Sequence, residues 1–200
     1  SEVNASSKRA CSTITKKVDC TSCHAEVGQE YTKSIHGVLQ AKSDPNGPTC
    51  KECHGTHGIQ NRRTPSSPTF ATNVPTLCAK CHQEGKKAAA RYTGEQLEIV
   101  EHYTESIHGK GLLKSGLTVT ATCTNCHTAH GVLPAADSTS SVNPRNLPRT
   151  CGGCHHGIQE QFEKSIHSST VSTAQRSTGA FVSLAASRAR RSASASSGVQ

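Results

Sequence analysis

The stretch TCKECHGTHGIQ, residues 49–60, sets two cysteines three positions apart, a histidine directly behind them, and a second histidine three residues further on. Its opening, C-x-x-C-H, is not isolated. It recurs as CTSCH (Cys20, Cys23, His24), CKECH (Cys50, Cys53, His54), CAKCH (Cys78, Cys81, His82), CTNCH (Cys123, Cys126, His127) and CGGCH (Cys151, Cys154, His155). Ten of the 11 cysteines of this 200-residue chain are used in this way, and every pair is followed at once by histidine.

C-x-x-C-H is the attachment signature of c-type haem: the two thiols add to the vinyl groups, and the adjacent imidazole binds the iron as proximal ligand. A short helical turn suits the task, because positions i, i+3 and i+4 share a face. Zinc is the competing chemistry, yet zinc sites draw two cysteine pairs together or add two histidines to one pair, and five pairs do not divide evenly among all-cysteine sites. A redox C-x-x-C has no need of the histidine. The cofactor reading is therefore five haem c groups. Cys11 stands outside the pattern and reads as an unreactive or incidentally paired thiol.

Composition agrees, since 32% hydrophobic and 3% aromatic residues, with no Trp and no Met, cannot fill a core for a chain of this length. Bound cofactors must supply that bulk. No run of 18 apolar residues occurs, so no transmembrane segment is expected. The chain opens with neither Met nor an apolar leader, and the expectation is that a targeting segment has been removed ahead of Ser1.

Self-comparison shows repeats. The first cysteines of successive motifs are 30, 28, 45 and 28 residues apart, so two modules alternate, the second carrying the extra stretch KKAAARYTGEQLEIV. YTKSIHG (31–37), YTESIHG (103–109) and FEKSIHS (162–168) share one register, as do CHGTHG (53–58) and CHTAHG (126–131). The organisation expected is an N-terminal segment (1–19), a two-haem module (20–77), a second two-haem module (78–150), a half module with one haem (151–168) and a Ser/Ala/Arg-rich tail (169–200). By itself the tail reads as disordered, and packing on a neighbouring subunit is one way to order it.

Beyond the five proximal histidines, the repeated elements hold five more: His36, His57, His108, His130 and His167. Five irons can thus all be bis-histidine, and without Met the potential-raising His/Met pair is excluded. His54 and His57 lie on one short turn and project the same way, so His57 is expected to serve an iron other than that of His54, with His130 repeating the arrangement. A helix from His24 to His36 would span about 18 Å, which argues against His36 closing the iron of His24. Which of the five serves which iron is otherwise open. His102 and His156 are surplus and read as surface or hydrogen-bonded residues.

The fold class expected is mainly irregular with short α-helices, little or no β structure, and a haem core. Helices are expected over 24–36, 84–108 (the longest) and 155–167, where helix formers run with few breakers. The Pro/Ser/Asn-rich stretches 41–48, 62–76 and 133–148 are expected to be loops over haem edges. The formal charge of +8 falls to about +3 with five ferric haems and about −2 with five ferrous ones, because each brings two propionates. A nucleic-acid partner is accordingly not expected.

From about residue 20 to 168 the chain resembles multihaem c-type cytochromes, here a pentahaem one, on the alternating C-x-x-C-H, S-I-H-G and C-x-x-C-H-x-x-H-G elements. The resemblance implies extracytoplasmic haem attachment and electron transfer between close bis-histidine haems, with no bond chemistry. It covers soluble periplasmic carriers and cytochromes that polymerise into extracellular filaments. The half module, the tail and Ser/Thr-rich loops open to glycans favour the second. Partners expected are copies of the chain, meeting through haem-stacking interfaces, and redox proteins or extracellular acceptors. A reductase of nitrite, hydroxylamine or sulfur oxyanions is the enzymatic alternative, and it would need an iron with an open position. A passive haem store or scaffold would tolerate widely separated haems, against which the His-x-x-His spacing argues.

Overall fold

A computed structural model describes residues 19–92 and 97–168. Cys11, the N-terminal segment up to residue 18 and the tail from residue 169 lie outside them. Among the described residues there are short helices and no strands, as the sequence implies. Nine α-helices follow in chain order: α1 (Ala25–Lys33), α2 (Ile35–Ala41), α3 (Cys50–His54), α4 (Val74–His82), α5 (Ile99–Glu105), α6 (Ile107–Leu113), α7 (Cys123–His127), α8 (Leu147–Gly152) and α9 (His156–Lys164). The chain forms two compact units, one ending at Leu133 and one beginning at Pro134. The first holds α1 to α7, the second α8 and α9.

The expected helix over 24–36 is two helices, because Ser34 ends α1 with an extended backbone (ψ 161°) and caps α2. Its hydroxyl donates to the Tyr31 carbonyl (2.6 Å) and accepts from the Gly37 amide (3.0 Å), satisfying one end of each helix. Ser106 does the same between α5 and α6, donating to Tyr103 (2.7 Å) and accepting from Gly109 (3.1 Å). In the third copy Ser165 ends α9 and donates to Phe162 (2.6 Å). Each S-I-H histidine therefore lies two residues past a serine that breaks a helix.

The long helix expected over 84–108 is a correction. Gly85 adopts a left-handed conformation (φ +75°), Ala89–Arg91 form only a 3-10 turn, and α5 begins at Ile99 and stops at the Ser106 break. Strong helix formers are overridden here by a glycine turn and a serine cap.

Two of the expected loops are ordered scaffolds built alike. In one, amides of Thr64, Ser67, Phe70 and Asn73 each donate to the carbonyl three residues back, and the Asn73 amide side chain bonds the Pro65 and Ser67 carbonyls. In the other, Asp137, Ser140, Asn143 and Asn146 repeat this series, and Asn146 bonds the carbonyls of Ser138 and Ser140. Ser67 and Ser140, both 1% exposed, are the hubs. Each scaffold runs into a helix with Pro in its first turn, α4 and α8, which delivers a C-x-x-C-H motif.

Aliphatic burial is slight. Among the described residues only Val74 and Leu112 are buried aliphatic side chains, while Ile107 (80% exposed), Val119 (90%) and Ile166 (79%) lie open. Side-chain packing alone does not hold this fold.

The glycine after the first two S-I-H elements is required by close approach. A Cβ at Gly37 would stand 2.1 Å from the Tyr31 carbonyl oxygen, and one at Gly109 equally close to that of Tyr103. Gly37→Ala is expected to cost about 2 kcal/mol of stability by thermal unfolding of the haem-loaded protein, and to displace His36.

Candidate haem-ligating sites

Each C-x-x-C-H motif sits on a short helix or turn that sets its cysteines and histidine on one side. Thr49 and Glu52 form a capping box on α3, and Thr122 with Asn125 forms one on α7. These caps fix the second motif of each module. Tyr31 braces the same motif of the first module by donating to the Pro48 carbonyl just ahead of α3, and Tyr103 repeats this on Ala121 (2.9 Å) ahead of α7. Burial, then the neighbouring Cys123 and Cys126, push the Tyr103 phenol up to about 12, so it remains a donor.

The cysteines of successive motifs are neighbours. The Cys50 thiol is raised by burial and by Cys20 beside it; that of Cys53 is raised by burial and, after Glu52, by Cys81. Cys78 is pushed up by a hydrogen bond with Cys123 and by burial, and the same bond holds Cys123 down. The attachment points thus run Cys20 to Cys50, Cys53 to Cys81, and Cys78 to Cys123. Four of the five motifs form one continuous series within the first unit.

The imidazoles show which histidines face each other. His36 and His82 have ring centroids 6.2 Å apart with planes at 54°, and His54 and His130 have centroids 6.1 Å apart with planes at 18°. Two imidazoles bound to one metal ion from opposite sides place their centroids about 6 Å apart, given a metal–nitrogen bond of about 2.0 Å on each side. Both pairs have that spacing, so the residues present fit an iron between them. All four rings are half-buried. Burial, then His82, lowers His36; burial, then His127, lowers His82; burial, then His130 and His24, lowers His54. Each of these three is thereby favoured in the neutral form, the one that binds metal.

His24, His57 and His167 are exposed, and among the described residues none of them faces another ring at this spacing. His127 is lowered by burial and belongs to neither of the two ring pairs. His108 and His155 both have partners in the structure. The surplus His102 and His156 are exposed and approach glutamates one turn away, Glu98 at 3.8 Å and Glu160 at 3.5 Å. No three His, Cys, Asp or Glu side chains among the described residues converge as a cage for a bare metal ion.

A residue that the sequence did not single out is Thr128, directly after His127. Its backbone (φ 66°, ψ 165°) lies in a region kept almost wholly for glycine, and its counterpart after His54 is Gly55 (φ 80°, ψ −178°). This conformation turns the chain so that His130 doubles back to His54. The Thr128 hydroxyl is also buried, with no hydrogen-bond partner among the described residues. The repeat alignment holds the clue, since glycine and threonine share one position.

A family described as the doubled CXXCH motif matches residues 36–87, about a quarter of the chain, running from His36 through the second and third motifs. No curated protein and no solved structure matches the chain. Over those residues the doubled motif indicates covalent attachment of haem c, as in multihaem c-type cytochromes. Such attachment takes place outside the cytoplasm, and among the described residues no helix is long and apolar enough to cross a membrane.

Relief of the strain at Thr128 is directly measurable. Thr128→Gly is expected to raise the stability of the haem-loaded protein by about 1–2 kcal/mol in thermal unfolding, and Gly55→Ala to lower it by a similar amount.

Proposed function

We propose that the chain carries five haem c groups, all bis-histidine, and passes electrons along them as the repeating subunit of an extracellular filament. The observation that carries this reading is the continuous series of attachment points from Cys20 to Cys123, tied by the ring pairs His36/His82 and His54/His130. Bound haem c supplies one-electron Fe(III)/Fe(II) chemistry. The chain's own part is to hold the irons close together, close both axial positions with imidazole and keep the potentials low by offering no Met.

The filament is supported by the half module at Cys151, which carries one haem motif where the two modules before it carry two. A reductase has one observation in its favour: among the described residues His24 faces no second imidazole, as an open iron would require. The ligand count weighs against it, because five further histidines match five irons.

Native mass spectrometry, optical spectra and electron microscopy of the isolated protein test the reading together. Expected are five covalent haems per chain, low-spin spectra in both oxidation states, no carbon monoxide binding on reduction, and fibres. Discrete particles with five low-spin haems would leave a soluble periplasmic carrier. One five-coordinate iron in intact material would favour catalysis instead.

A further inference from the structure

The two H-x-x-H elements, CHGTHG (53–58) and CHTAHG (126–131), carry one threonine each, at different places. In the first, Thr56 stands directly ahead of His57. In the second the hydroxyl has moved one position back, to Thr128, and Ala129 stands directly ahead of His130. The two hydroxyls also differ in what they meet. Thr56 Oγ1 lies 3.2 Å from His57 Nδ1, within hydrogen-bond distance. Thr128 Oγ1 is buried and has no hydrogen-bond partner among the described residues, so it bonds neither His127 nor His130. The stretch carrying His130 is held by its backbone instead, the Ile35 amide at the start of α2 donating to the Val132 carbonyl (2.8 Å).

We propose that Thr56 is a positioning residue for His57: its hydroxyl holds the Nδ1 proton, leaves Nε2 to the iron and lowers the potential of the iron that His57 closes, an effect His130 does not receive. The inference rests on the reading above in which His57 is an axial ligand. An imidazole that binds metal through Nε2 carries its remaining proton on Nδ1, so the bond runs from Nδ1–H to the Thr56 oxygen. Such a bond fixes the tautomer and the ring orientation, and it makes the bound nitrogen a stronger donor. A stronger donor favours Fe(III) over Fe(II), and the potential falls. One electron converts Fe(III) to Fe(II), and the Nδ1 proton stays on the ring in both states. Two sites that the repeat would otherwise make alike thus become unequal through one shifted threonine.

The test compares the haem-loaded wild-type protein with Thr56→Val, Thr56→Ser and Ala129→Ser. Potentials are read by spectroelectrochemical titration, spin state by electron paramagnetic resonance, and ligation by cryo-electron microscopy of the wild type. Thr56→Val puts a methyl group where the oxygen stood. It is expected to move one of the five potentials upward while all five haems stay low-spin. Thr56→Ser keeps the oxygen and should match wild type. Ala129→Ser supplies the hydroxyl that the second repeat lacks, and it should move a different one of the five potentials downward.

Five unmoved potentials in Thr56→Val, with five low-spin haems, would overturn the proposal and leave the bis-histidine reading standing. A high-spin haem in Thr56→Val would overturn it as well, since the hydroxyl would then seat the ring rather than tune the iron. An upward shift of the same size in Thr56→Ser would assign the effect to side-chain shape and count against the hydrogen bond. No shift in Ala129→Ser would overturn the contrast between the repeats. Wild-type density with His57 away from every iron would remove the ligand reading itself, and this inference with it.

Discussion

The distance at which two imidazoles face each other is the constraint on which the rest of this structure depends. Rings about 6 Å apart leave room for a metal and little else, and the chain reaches that spacing twice, at His36/His82 and His54/His130. Both pairs bring together residues far apart in sequence. In an ordinary domain that task belongs to a hydrophobic core. Here Val74 and Leu112 are the buried aliphatic side chains among the described residues, and most of the larger ones lie open.

The polar framework is correspondingly elaborate, and most of it serves to aim a ligand. Ser34 and Ser106 stop one helix and start the next, so the following histidine leaves the helix axis in a set direction. Gly37 and Gly109 allow the second helix to press against the carbonyl that ends the first. The Ser67 and Ser140 scaffolds replace side-chain packing with backbone hydrogen bonds, holding the segments ahead of Cys78 and Cys151 without apolar bulk. Thr128 shows the cost of this aiming. A β-branched residue occupies a glycine conformation where the chain turns from the motif at Cys123 towards His54.

The residue types and their spacing determined a good deal unaided. Five C-x-x-C-H motifs point to the thiols and proximal histidines of haem attachment, because thioether attachment needs those groups in that local order whatever the fold. The thin apolar composition implied short helices around a cofactor core, and repeat spacing singled out His36, His57, His108, His130 and His167 as candidate ligands. The reasoning that a helix carries His36 away from His24 agrees with its place beside His82, although Ser34 bends the path.

Tertiary structure alone decided which imidazoles meet. The ring pairs join residues dozens of positions apart, and local spacing says nothing about a separation set by how modules pack. The long helix expected over 84–108 failed for a related reason: helix propensity is summed over neighbours, whereas Gly85 and the Ser106 cap act through backbone geometry and hydrogen bonds at single positions. Likewise, the Pro/Ser/Asn stretches read as loops because their order lies in a three-residue rhythm of backbone bonds that composition does not reveal. Local chemistry can be read from the order of residues along the chain; the meeting of histidines from distant repeats exists only once the chain has folded.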